Sequence, residues 1–286
     1  LLALMPALLL TQTNISCGVQ GVSMTFVDAF GESHEADVHP DWPLRDVVNA
    51  CFARTGEICT YEDCNYTSRV GIDISKYQSQ VDFAKVKESG YEFVIIRLGF
   101  RGYTGGDLNT DKMFASHIRG ALDAGLDVGV YFFSQAINEE EARAEADYCA
   151  KQLENQGITP DMLKMPVVYD PESILFADSR TDDVSGEQFT FNCEAFCDRI
   201  LEYGYDTMIY SNMKWEAYEL DLSQLSAYDL WYADYEALPQ TPYRFTIWQY
   251  SQTGDVPGVS GACDLDIQLV PKSMNPEEGK TDGKNK

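Results

Sequence analysis

The chain has 286 residues, with 46 Asp and Glu against 21 Lys and Arg and a formal net charge of −25. At 44% hydrophobic and 12% aromatic residues it has ample material for a core, which excludes a predominantly disordered chain. The acid excess argues against nucleic acid as a partner, because phosphate binding needs a basic stripe, and against electrostatic docking on an anionic membrane.

Residues 1–10 are an uncharged apolar run, half of the roughly twenty residues a bilayer span requires. The run fits the hydrophobic part of a secretory leader, so residues 1–16 are read as a leader remnant and the protein as secreted or associated with a bacterial cell envelope. No stable membrane insertion of the mature chain is expected. Cys17, in Asn14-Ile15-Ser16-Cys17, loosely matches a lipid-attachment site. The cysteines fall into two groups, 17, 51, 59 and 64, then 149, 193, 197 and 263. Four cysteines allow three pairings, so the sequence leaves their connectivity open.

Residues 17–68 read as a small cysteine-bearing module. Val22–Asp28 alternates like a strand, Phe30-Gly31-Glu32 is a turn, and His34–Val38 returns as a hairpin. After Pro43, Leu44–Ala53 has the pattern of a short amphipathic helix. From Val70 onward the pattern becomes regular. Strand-like runs cover Val70–Ile74, Phe93–Leu98, Val128–Phe133, Pro166–Asp170, Thr207–Tyr210, Asp229–Ala233, Phe245–Tyr250 and Asp264–Leu269. Helical patterns separate the first six: Val81–Ser89, Asp111–Ala124, Glu139–Gln156, Gly186–Tyr203 and a short one near Lys214–Leu220. Asn138 caps a helix that opens on three glutamates, and Gly125 stops the one before it. Strands alternating with helices imply a parallel sheet, and eight strands imply closure. Because helices are missing between the last strands, the expected fold is α/β, an irregular TIM-like barrel of roughly (β/α)5β3 over residues 69–271. The segment 272–286 is read as a disordered tail.

Chemistry in such a barrel gathers at the carboxyl ends of the strands. Asp73, Arg97, Gln135, Asp170, Glu172, Asp234, Gln249 and Asp264 fall there. Gly102-x-x-Gly105-Gly106 lacks the Lys-Ser/Thr of a phosphate loop, and no His-bearing ligand set or dinucleotide fingerprint occurs, so neither a metal nor a cofactor is expected. The sharpest local feature is Val167-Val-Tyr-Asp-Pro-Glu-Ser173. On an extended chain Asp170 and Glu172 share a face with Cα atoms about 6–7 Å apart, and Pro171 keeps Asp170 out of the helical region. Two neighbouring carboxylates do not both ionise cheaply, so an acid stands beside a base, the pairing that glycosidic bond cleavage uses. Aromatic residues crowd the same strand ends; Tyr131, Tyr210, Trp231 and Trp248, with Gln249, are the candidates for lining a sugar-binding groove.

Taken in order, Gly71-Ile-Asp-Ile-Ser-x-Tyr-Gln78, Val94-Ile-Ile-Arg97, Val128-Gly-Val-Tyr131, Asp170-x-Glu172, Leu230-Trp-Tyr-Ala233, Trp248-Gln-Tyr250 and Cys263-Asp-Leu-Asp266 resemble the glycoside hydrolase family 25 lysozymes. The resemblance implies an N-acetylmuramidase that cuts the β-1,4 bond between N-acetylmuramic acid and N-acetylglucosamine, with peptidoglycan glycan strands as partner and a monomer as working unit. By position Glu172 resembles the general acid and Asp170 its partner, while Asp73 and Asp264 complete an acidic floor. Pro171 replaces a residue that is commonly apolar in the family, and Asp266 stands where Asn is common, so two acids compete for one groove position. The alternative reading is a non-catalytic wall-glycan-binding protein on the same barrel.

Overall fold

The computed structural model describes residues 22–272. The leader, Cys17 and the tail beyond Lys272 lie outside them. The N-terminal part opens with an antiparallel hairpin, β1 (Val22–Val27) and β2 (Ser33–Val38), followed by a second, β3 (Phe52–Thr55) and β4 (Ile58–Tyr61). The chain then enters the barrel through β5 (Tyr66–Ile74) and α1 (Phe83–Glu88), β6 (Phe93–Arg101) with its short antiparallel partner β7 (Leu108–Thr110), and α2 (Phe114–Asp123). It continues with β8 (Asp127–Ser134), α3 (Glu139–Asn155), β9 (Val167–Pro171), α4 (Gly186–Glu202), β10 (Thr207–Asn212) and α5 (Met213–Tyr218). Three strands close it: β11 (Asp229–Ala233), β12 (Ile247–Gly254) and β13 (Cys263–Pro271).

Seven strands, β5, β6, β8, β9, β10, β11 and β12, run parallel in ring order. β13 is antiparallel to both β12 and β5 and completes the ring. Five strands carry a following helix and three do not, the (β/α)5β3 arrangement expected from the sequence. Alternation along the strands divides the apolar residues into two sets. Phe93, Ile95, Met165, Val168, Met208, Trp231 and Ile247 fill the barrel interior, while Val94, Ile96, Val128, Val130 and Phe132 belong to the outer core under the helices. Gly71 is dictated by this packing: a Cβ there would stand 2.3 Å from the Phe93 ring. On the outer face a buried ion pair ties α3 to the sheet, Arg101 Nε donating to Glu145 Oε1 at 2.7 Å and Ser134 Oγ to Oε2 at 2.6 Å.

Residues 22–65 lie against the barrel and share its core; Phe26, Cys59 and Tyr61 are buried within the outer cluster. The amphipathic helix expected over Leu44–Ala53 does not form. Leu44 bridges Tyr243, Arg45 N–H donates to Pro242 O, and Arg244 N–H donates to Pro43 O, so the segment is held extended as an annex to the barrel wall. Only Asn49–Cys51 makes a 3-10 turn before β3 begins. Tertiary hydrogen bonds here override a weak local propensity. The seven cysteines in the described region are all free thiols.

Trp248, expected in the groove, points outward instead. It sits on β12 one residue before the inward Gln249, is fully buried, and meets Phe52 edge-on at 5.2 Å. Its Nε1–H donates to Asp234 O at 2.8 Å. The β3–β4 hairpin is therefore fastened to the barrel through this ring. Truncation to Trp248→Ala is expected to cost about 3–5 kcal/mol of unfolding free energy, read from guanidinium denaturation of the full chain; a loss below about 1 kcal/mol would contradict this packing role.

Candidate active site

The inward positions at the carboxyl ends of the parallel strands, and at the amino end of the antiparallel β13, bring carboxyl groups together from separate parts of the chain. Asp264, expected at a strand's carboxyl end, sits instead at the start of β13 because that strand runs the other way. Asp73 is the penultimate residue of β5, Asp170 lies in β9 and Glu172 just beyond it, and Asp264 lies opposite Asp73 in register on β13. Asp266, two residues on, shares the inward face of Asp264 and stands opposite Gly71 and Gln249. The family resemblance left Asp264 and Asp266 competing for one position, and the barrel takes both. Asp266 is sealed at the bottom with no exposure, and Asp264 is half-buried above it.

A polar scaffold orients these acids. Gln249 Nε2–H donates to Asp73 Oδ2 at 2.6 Å, and Gln249 Oε1 accepts from Tyr210 OH at 3.1 Å and Tyr235 OH at 2.8 Å. Trp231 Nε1–H donates to Asp266 Oδ1 at 2.8 Å. Trp231 thus faces inward as expected but lies beneath the groove, 1% exposed, wedged edge-on between Tyr210 at 4.9 Å and Tyr131 at 6.0 Å. The loop after β9 is anchored by Gln135, whose Nε2–H donates to Glu172 O at 2.6 Å while its Oε1 accepts from Ser179 and Thr181 hydroxyls. Arg97, at the mouth end of β6, spends its charge on Asp111, with Nε to Oδ2 at 2.8 Å.

Burial dominates the electrostatics. It pushes Glu172 up to about 7, with the neighbouring Asp264 charge adding to the shift. Asp264 rises to about 6 through burial, held back by a hydrogen bond from the Asp73 carboxyl. Burial also drives Asp73 and Asp170 well above the ordinary carboxylate range, the first helped by Asp264 and Asp266, the second by Glu172 and opposed by Arg97. Asp266 is raised by burial too, against the pull of its Trp231 hydrogen bond. The group titrates as a set that shares protons rather than as five independent acids. Such a set has a proton to give from Glu172 near neutrality and carboxylates beside it to meet developing positive charge, the requirements of acid-catalysed acetal cleavage.

Beside Glu172 a cavity of about 320 Å³ opens, bounded by Tyr210, Ala233, Asp234 and Tyr235 of the barrel. Asp28, Ala29 and Phe30 of the β1–β2 turn line it as well, a contribution that sequence reasoning missed because nothing local to residues 28–30 marks a contact some 200 residues away in the chain. Asp266 was legible: its two-residue spacing from Asp264 places both on one face of a strand. Among the described residues no set of three or more His, Cys, Asp or Glu side chains is arranged to hold a metal ion, and no helix is long and apolar enough to cross a membrane.

Comparison with known proteins agrees with this geometry. The family model for the glycosyl hydrolases family 25 matches residues 72–259, more than half of the chain. That segment includes Asp73, Asp170 and Glu172 and ends before Asp264. An autolytic lysozyme of Clostridium acetobutylicum is 32% identical over 197 residues, 68% of this chain and 54% of its own. Lysozyme M1 of Streptomyces globisporus is 29% identical over 206 residues, 68% of this chain and 65% of its own. The chain thus spans between half and two thirds of the length of these relatives. The crystal structure of a bacterial lysozyme from Streptomyces coelicolor superposes with a TM-score of 0.56 at 25% identity, covering 69% of this chain and 90% of that one. With a closed (β/α)5β3 barrel, carboxyl groups gathered in its mouth and a family match through most of it, the chain belongs to the glycosyl hydrolases of family 25.

Proposed function

We propose that this protein hydrolyses the β-1,4 bond between N-acetylmuramic acid and N-acetylglucosamine in peptidoglycan. The observation that carries the reading is the position of Glu172: at the mouth rather than the floor of the barrel, beside an open cavity, and protonated near neutrality through burial and Asp264. In this reading Glu172 donates its proton to the glycosidic oxygen as the bond to the anomeric carbon lengthens. Asp170, two residues away on the same strand end, faces the positive charge that develops on the sugar ring or orients its acetamido group. Asp73, held by Gln249, and Asp264 form the acidic floor, and the charge of Asp264 helps keep the proton on Glu172 until the oxygen takes it. Tyr131 and Tyr210 wall the groove, and Trp231 fixes the floor from below. The lysozyme names of the relatives support the substrate class. Because that substrate lies outside the cytoplasm, the enzyme works as a secreted or envelope-associated monomer, with residues 69–271 as its catalytic part and no nucleic acid among its partners.

Glu172→Gln removes the proton and keeps the shape. It is expected to lower release of reducing ends from purified peptidoglycan by about 10²–10⁴-fold, with an unchanged melting profile near pH 4.5, where the wild-type carboxyl is neutral in the fold. Clearance of cell walls at the wild-type rate would overturn the assignment. Binding of muropeptides by the wild type with no release of reducing ends would instead establish the non-catalytic reading.

The pH dependence follows from the same group. Activity is expected to fall as pH rises through about 7, where Glu172 loses its proton. Stability moves in the same direction. Between the ordinary value of 4.5 and about 7 the folded state holds a proton that the unfolded state has released, so unfolding free energy decreases as pH rises through that window and levels off above it. In Glu172→Gln this slope should flatten, as read by urea denaturation at a series of pH values. An identical slope in both proteins would show that Glu172 titrates normally.

A further inference from the structure

The β1–β2 hairpin lies wholly outside the segment that matches the family model, residues 72–259, yet its turn forms part of the cavity that contains Glu172. The turn is built to hold its shape. Asp28 Oδ1 accepts the N–H groups of Phe30 at 2.9 Å and Glu32 at 3.0 Å, and Oδ2 pairs with His34 Nε2 at 2.9 Å. Gly31, at φ +82°, allows the reversal that brings Asp28 N–H to Glu32 O. The His34 ring in turn stacks on the buried Phe26 at 5.2 Å.

It is also fixed to the barrel at the active-site wall. The Gln240 side chain treats Val27 as a strand partner, its Oε1 accepting Val27 N–H at 2.8 Å and its Nε2–H donating to Val27 O at 2.9 Å. The same Nε2 reaches Asp234 Oδ1 at 3.1 Å, and Gln240 N–H donates to Asp234 Oδ2 at 2.8 Å. Asp234 follows β11 directly and lines the cavity. From the far strand, Glu35 O accepts the Tyr218 hydroxyl of α5 at 2.8 Å.

On this rigid mount Phe30 is 72% exposed. Among the described residues it stacks on no aromatic ring. A large apolar ring held in water at the rim of an open cleft contributes nothing to the core and is what a sugar face requires, since pyranose C–H faces pack on aromatic rings. Leu175, 73% exposed on the loop between β9 and α4 and three residues beyond Glu172, borders the same cavity. We propose that the β1–β2 turn is an accessory sugar-binding subsite of the active-site groove, in which Phe30 and Leu175 take the apolar face of an N-acetylhexosamine unit beyond the pair joined by the scissile bond. The identity of that sugar rests on the muramidase reading; the subsite itself rests on the hairpin's position.

The test uses the full chain and two defined glycans of alternating N-acetylglucosamine and N-acetylmuramic acid, a tetrasaccharide and an octasaccharide. The wild type is expected to cleave the longer glycan with about fivefold higher kcat/KM, and the gain should sit in KM. Phe30→Ala should abolish that length preference and Phe30→Trp should keep it, with melting temperatures matching the wild type because the ring lies in solvent. A wild type indifferent to length, or a preference that survives in Phe30→Ala, overturns the subsite. If the wild type cuts neither glycan, the muramidase reading fails separately, and calorimetric titration of the octasaccharide decides the subsite. Binding about fivefold weaker in Phe30→Ala sustains it, and equal binding, or none to either protein, overturns it.

Discussion

The structure is organised around the cost of placing five carboxyl groups in the mouth of one barrel. In water each would ionise below pH 5; here burial acts on all of them, and on Asp73, Asp170 and Asp266 it acts with almost no solvent contact. Three of the acids are supported by hydrogen bonds, Asp73 by Gln249, Asp266 by Trp231 and Asp264 by the Asp73 carboxyl. Asp170 Oδ1, by contrast, is buried without a partner, and only the Arg97 charge favours its ionised form. Of the five, Glu172 is the one that lines the open cavity, and none of these donors holds its side chain. Its backbone carbonyl is fixed by Gln135, so the position is set while the proton stays available.

That arrangement requires a barrel whose register does not drift. A slip of one residue on β13 would turn Asp264 and Asp266 to the outside and bring Leu265 in. The antiparallel pairing of β13 with β5, continuous from Asp264 opposite Asp73 to Pro271 opposite Tyr66, prevents it. The N-terminal hairpins add a second restraint. The β3–β4 pair covers the outward rings of β12, and Arg54 lies over Trp248 and Tyr250 at 5.4 and 5.0 Å. The β1–β2 pair is clamped through Gln240 to Asp234. Groove wall and outer core are thereby held by the same segment.

Much of this was legible in the sequence, for identifiable physical reasons. Strand and helix alternation exposed the (β/α)5β3 plan because each buried strand is a short apolar run bounded by caps and turns. Asp170-Pro171-Glu172 stood out because a two-residue spacing at a strand end fixes a common face. Trp248 was misplaced because an aromatic pair such as Trp231 and Trp248 does not disclose which strand phase points inward; the neighbouring Gln249, bound to Asp73, settles the parity. The extended course of Leu44–Val48 and the contact of Phe30 with the groove were not legible. Both depend on partners, Pro242 and Gln240, that lie about two hundred residues away.

The central claim is that burial and the Asp264 charge lift Glu172 from the ordinary 4.5 to about 7, so that it keeps a proton well above the usual carboxylate range. Carbon-13 NMR titration of side-chain-labelled glutamate measures it directly, with Glu172 assigned by the signal missing from Glu172→Gln. The account predicts that this signal titrates near 7, distinct from the exposed glutamates. A Glu172 carboxyl that titrates near the ordinary 4.5 in the folded protein would contradict it.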